Sequence, residues 1–155
     1  MPSFNNTLDS HRETITNFGY LGLLPFFMGA LGPWVFAYKE VFLIDTFTAY
    51  ASVILAFLAG SLWSIALFTP LENPTRHINT AMALSLWAFF SLWLPAFATV
   101  ICLLAGFLWL LFWEKCFLTQ TYPAWYQQLR HKLTWIVVAC HMMVLWNLLR
   151  TDTLA

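Results

Sequence analysis

"INTAMALSLWAFFSLWLPAFATVICLLAGFLWLLFW", residues 78–113, contains no charged side chain. As a single helix it would be about 54 Å long at 1.5 Å per residue. The hydrocarbon core of a bilayer is only about 30 Å thick, so one crossing cannot use the whole run. Its middle reads "WLPAF", Trp93–Phe97, and Pro95 cannot continue a helix through its own position. The stretch therefore predicts a tight hairpin of two shortish membrane helices that turns near Pro95. Taken as one span, it would leave four crossings in the chain. Taken as two, it leaves five.

The other spans are read by the same rule of about 20 mainly apolar residues. The first is Phe18–Tyr38, and the second is Thr46–Phe68, with Asp45 placed to cap its N-terminus and Pro70 and Pro74 closing it. The last runs from about Leu133 to Leu149, its helix beginning near Pro123, because proline is favoured at a first helical position. The expected fold is all-α: a polar segment at 1–17, a five-helix transmembrane domain at 18–150 and a short tail at 151–155. The polar segment has no basic stretch followed by a short apolar core, so it does not read as a cleaved signal peptide.

Composition agrees. Hydrophobic residues make up 61% of the chain and charged residues 9%, where a soluble domain carries roughly 25% charged. Lipid must cover what polar groups cannot. Seven basic and seven acidic residues cancel, which leaves no electrostatic case for nucleic acid. With five spans, Arg12, Arg76, Lys115, Arg130 and Lys132 fall on one side, and Lys39 and Arg150 on the other. Cytoplasmic loops hold the excess of Lys and Arg, so the N-terminus is expected inside. Trp34, Trp93, Trp113, Trp125 and Trp146 fall near span ends, as an interfacial belt would. Cys102 and Cys140 lie inside apolar runs and Cys116 at the edge of one, so no disulfide scaffold is expected.

Span 1 is rich in glycine and proline, with Gly22, Pro25, Gly29 and Pro33. Such residues either break a helix around a transport site or let helices approach closely. A transporter usually shows repeated halves, and this chain has no internal repeat. In span 2, Ser52, Ala56, Gly60 and Ser64 recur every four residues and are expected to form a helix-packing face, with Gly22 and Gly29 as further packing positions. In "YPAWYQQLRHKLT", Trp125, Tyr126, Arg130 and Lys132 read as an interfacial anchor, rings at headgroup level and basic groups towards phosphates.

"GLLPF" (Gly22–Phe26), "AYASVILAFLAGSLWSIAL" (Ala49–Leu67) and "PAWYQQLR" (Pro123–Arg130) resemble a family of small polytopic membrane proteins, a domain of unknown function found in bacteria and in a mitochondrial transmembrane protein. The resemblance covers roughly residues 19–149 and implies a multi-pass protein of a bacterial or mitochondrial inner membrane. The second motif in the family often reads Gly-Gly-x-His-Trp. Here the stretch is Ala59, Gly60, Ser61, Leu62, Trp63, so a role that depended on that imidazole does not carry over.

"ACHMMVLWN", residues 139–147, sets Cys140, His141, Met142 and Met143 side by side. Helical neighbours point about 100° apart, so the four do not converge. Cys140 shares a face with Met143, a pair whose soft sulfur would suit copper(I) given help from another span. A haem on His141 would need a second ligand at its depth, and His11, His77 and His131 all lie at or before span starts. The plainer expectation is a neutral, buried His141, hydrogen-bonded inside the bundle or against a partner helix. No nucleophile–base pair, phosphate loop or metal-ligand spacing points to catalysis. The sequence therefore reads as a non-catalytic accessory subunit or assembly factor that docks with other membrane proteins on a larger complex, with no cofactor expected; a respiratory host is what the family resemblance implies. A haem, copper or quinone protein using His141 is the alternative, and a small transporter the next.

Overall fold

A computed structural model of the protein describes residues 11–119 and 121–152. Most of the polar segment expected at 1–17, and most of the tail at 151–155, lie outside the described residues. The described elements are all helical: α1 (Arg12–Leu21), α2 (Leu24–Val35), a 3₁₀ turn (Ala37–Lys39), α3 (Glu40–Phe68), α4 (Pro74–Ser91), α5 (Ala96–Phe117) and α6 (Ala124–Asp152). Among the described residues, four stretches are long and apolar enough to cross a membrane: Arg12–Val35, Glu40–Phe68, Ala96–Phe117 and Ala124–Thr151. The less apolar α4 carries Arg76 and His77 in its first turn. Its 18 residues extend about 27 Å, and it packs along both α3 and α5.

The hairpin is where proline puts it. α4 ends at Ser91, and Pro95 stands at the N-cap of α5 in an extended conformation. The Thr99 hydroxyl lies 2.9 Å from the carbonyls of Ser91 and Leu94, so it serves backbone acceptors that the turn leaves open. The first span is interrupted between Leu21 and Leu24, the break being one of the two readings its glycines and prolines allowed. Gly22 closes α1 through its N–H to the Phe18 carbonyl, and Pro25 sits in the first turn of α2, where its missing N–H costs least.

The first two spans begin earlier than expected, α1 at Arg12 instead of Phe18 and α3 at Glu40 instead of Thr46. Asp45 caps nothing, because α3 already starts at Glu40. Glu40 accepts hydrogen bonds from Asn147 (2.7 Å) and Thr151 (2.9 Å) of α6, so the start of α3 is tied to the end of the last helix.

Helix α3 is the hub, packed on α2, α4 and α5, and α6 closes the bundle against α1, α2 and α5. The buried residues of α3 include Ala51, Ser52, Leu55, Ala59, Leu62 and Ala66. The expected packing face of Ser52, Ala56, Gly60 and Ser64, whose partner could be another span or another protein, is divided between the bundle and its outer surface. The Ser52 hydroxyl donates to the Ala88 carbonyl of α4 at 2.9 Å, yet Gly60 and Ser64 are exposed. A four-residue step overshoots the 3.6-residue turn by about 40°, so the stripe winds out of the bundle within three steps. A Cβ on Gly60 would meet nothing within 4 Å. Gly60→Leu is thus expected to leave the isolated protein as stable as wild type, within about 0.5 kcal/mol, when unfolded thermally in detergent. A larger loss would place that face against the bundle after all.

The outer surface is apolar, with Phe57, Phe68, Trp93, Phe112 and Trp135 among its exposed side chains. Soluble monomers rarely expose so continuous an apolar coat. This is a membrane protein.

Candidate functional site

Of the residues from Cys140 to Met143, α6 turns His141 and Cys140 inwards and Met142 and Met143 outwards. The structure does not bring Cys140, Met143 and His141 together. Among the described residues, no three His, Cys, Asp or Glu side chains are grouped to hold a metal ion. His141 is 0% exposed. Its Nδ1–H donates to the Val137 carbonyl one turn back, at 2.8 Å. Phenyl rings of Phe47, Phe107 and Phe26 surround it at centroid distances of 4.8, 5.5 and 6.1 Å. These rings come from α3, α5 and α2, so His141 marks the point where four helices meet.

With Nδ1 as the donor, Nε2 carries a lone pair, and it has no partner among the described residues. This arrangement sets the expected mutational profile. The Val137 carbonyl is also positioned for the ordinary i→i−4 helix bond from the His141 N–H, so losing the ring strands no acceptor. His141→Leu, of similar size, removes a partnerless polar atom from an apolar shell. It is expected to be neutral or to stabilise by up to about 1 kcal/mol, since an unsatisfied buried group costs about that much or more. A loss of several kcal/mol in detergent unfolding would mean that Nε2 has a partner in the membrane.

The three motifs of the resemblance converge. The Tyr50 hydroxyl of the second donates to the Gly22 carbonyl of the first at 2.9 Å, pinning the break between α1 and α2. Beside this bond lies a mainly apolar cavity of about 410 Å³, with Gly22, Phe26, Ile54, Phe57, Tyr126 and Arg130 in its wall. Leu62, which stands at the position of the family's frequent histidine, is fully buried.

Arg130 does not face headgroups. It is buried, with its Nε 3.2 Å from Oε2 of Glu114 and its Nη2 paired with Oε1. An exposed arginine can choose water or phosphate. This one sits beneath the connection from α5 to α6, where a charge needs a fixed counter-charge. Gln127 of the same motif donates to the Tyr122 carbonyl at 2.9 Å, which fastens that connection, and burial, aided by the Glu114 carboxylate, pushes the Tyr122 phenol above its ordinary range. Lys132 is exposed and Tyr126 partly so, positions compatible with an anchor. Trp125 carries the Arg12 guanidinium 5.4 Å above its ring. Trp113 does not belong to the outer belt. It is buried, and its indole N–H donates to Nδ1 of His77 at 3.1 Å.

Sequence reasoning missed Glu114 and Glu40. Glu114 precedes Lys115 at the end of an apolar run, where an acidic and a basic residue together look like a solvated helix end. Nothing local marks its partner 16 residues away.

A protein of unknown function (DUF3429) is the family that matches the chain, over residues 11–146. No curated protein and no solved structure matches it.

Proposed function

The chain belongs to the DUF3429 family of proteins of unknown function, and from that premise we propose that it is a non-catalytic membrane subunit or assembly factor that docks on a larger membrane complex. One observation supports this reading above others: the polar side chains within the bundle bind its helices to one another. Ser52 bonds α4, Tyr50 bonds the break before α2, Arg130 bonds Glu114, and Asn147 bonds Glu40. The groove between α4 and α5 and the cavity beside Tyr50 are mainly apolar, and the cavity lined by Glu114, Lys115 and His131 lies at the α5–α6 connection, away from the midplane. A transporter needs a polar site near the midplane, and a proton path needs a chain of ionisable groups. The outward Gly60 and Ser64 give another membrane helix a place for close approach. We place the N-terminus inside, in a bacterial or mitochondrial inner membrane, on the asymmetry of basic residues and the family resemblance. The respiratory character of the host complex is an inference from that resemblance alone.

The test is purification from native membranes in mild detergent with a photo-crosslinker at Gly60 or, as a lipid-facing control, at Leu86. The same stoichiometric membrane partner at Gly60 and none at Leu86 is the expected result. A second reading, a haem, copper or quinone protein using His141, rests on the partnerless Nε2. A monomer carrying a stoichiometric Soret band, copper or quinone, lost in His141→Gln, would replace the first reading with the second.

A further inference from the structure

The outer surface between α4 and α5 is cut by a groove of about 600 Å³. Ala83, Ala105 and Gly106 line it between the indoles of Trp87 and Trp109, and Arg76 stands at one end. The groove is fixed in shape. Trp87 donates its N–H to the Cys102 carbonyl at 2.8 Å, so that indole is bolted across the two helices. Gly106 is small because α5 lies close to α3 there: a Cβ would fall 2.5 Å from a terminal methyl of Leu55.

The Arg76 end is equally well built. The guanidinium lies 4.3 Å from the centroid of Phe117 and 5.0 Å from that of Trp113, and His77 holds the Trp113 indole in place. Stacking occupies a face of the guanidinium and leaves N–H groups at its edge for an acceptor. Arg76 itself is exposed, and among the described residues the only ion pair is that of Arg130 with Glu114.

Arg76 is in the first turn of α4, so it stands at an end of the bundle, where headgroups lie. Trp87 is 11 residues further along, about 16 Å deeper, close to half of a hydrocarbon core about 30 Å thick. The groove thus spans one leaflet, cationic at its rim and apolar below. The positive end of α4 adds to the attraction for an anion.

We propose that this groove is a binding site for one anionic phospholipid, its phosphate on Arg76 and an acyl chain between Trp87 and Trp109. An anionic lipid fits better than a zwitterionic one because the rim supplies a cation with no carboxylate paired to it among the described residues.

The full-length protein in mild detergent, given phosphatidylglycerol or phosphatidylcholine of identical chains, would be read by native mass spectrometry. Wild type is expected to retain a single phosphatidylglycerol with about fivefold preference, the effect of one basic side chain at an anionic surface. Arg76→Gln is expected to abolish the preference, Arg76→Lys to keep most of it, and Lys115→Gln, at an exposed cation near the same end, to leave it intact. Ala105→Phe, which fills the groove from an exposed position, should lose both lipids while keeping wild-type helicity. Excess inorganic phosphate should not displace the lipid, because the chain is held below the rim. Equal retention of the two lipids by wild type, an unchanged preference in Arg76→Gln, or release by phosphate would each overturn the proposal.

Discussion

Arg130→Ala is expected to cost on the order of 3–5 kcal/mol, the usual penalty for leaving one member of a buried ion pair alone. Glu114 is buried, and without the guanidinium its carboxylate has neither a counter-charge nor ready access to water. Glu114→Ala should do comparable damage by stranding the arginine. The double variant Glu114→Leu/Arg130→Met should recover most of the loss, since apolar replacements of both partners are often neutral or better. Reversible unfolding in detergent, arranged as a double-mutant cycle, measures the coupling. Single variants that each lose less than about 1 kcal/mol would show a pair behaving as surface pairs do, and the α5–α6 connection would then be wetter than its burial indicates.

The Glu114–Arg130 pair also shows which parts of this protein were legible in its sequence. Bilayer thickness and proline are strong one-dimensional constraints. They located the hairpin at Pro95, because a helix that must stop does so at residues that cannot continue it, whereas the break before Pro25 was one of two readings that the glycines and prolines of the first span left open. The inward faces were less legible. In α3, apolar residues surround the helix on all sides, since one side meets protein and the other meets lipid. Hydrophobic periodicity then carries little information, and a stripe spaced every four residues was a poor substitute for a 3.6-residue turn. Leu55, Ala59 and Leu62 are buried, whereas Gly60 is exposed. His141 was visible as a buried, polar position, but its surroundings of Phe26, Phe47 and Phe107 come from three other helices. The pairing of Arg130 with Glu114 joins residues that each look like a helix end in contact with water. Only the three-dimensional arrangement makes them partners.

Gly29 and Gly106 present the same apparent problem with different expected outcomes. A Cβ on Gly29 would lie 2.6 Å from Phe47 Cβ, and one on Gly106 would lie 2.5 Å from Leu55 Cδ2. Distance alone ranks them together. The neighbour at Gly29, however, is the first carbon of a side chain, fixed to the α3 backbone. Phe47 cannot turn away without moving its ring, and that ring is already packed on Phe26 and His141. The neighbour at Gly106 is a terminal methyl that moves with a rotation about χ2. Each Gly→Ala change gains a similar helix propensity, about 1 kcal/mol, so comparing the two cancels that term and isolates packing. Gly29→Ala is expected to cost about 1–3 kcal/mol net, as overpacking does, and Gly29→Leu to prevent α2 from docking on α3. Gly106→Ala should cost less than about 1 kcal/mol, because the Leu55 methyl yields and only part of the overpacking penalty remains. Unfolding midpoints of the two alanine variants in the same detergent decide the matter. If Gly106→Ala is the more damaged, then Leu55 is held more rigidly than Phe47, and the tightest helix contact in the bundle lies between α3 and α5 instead of between α2 and α3.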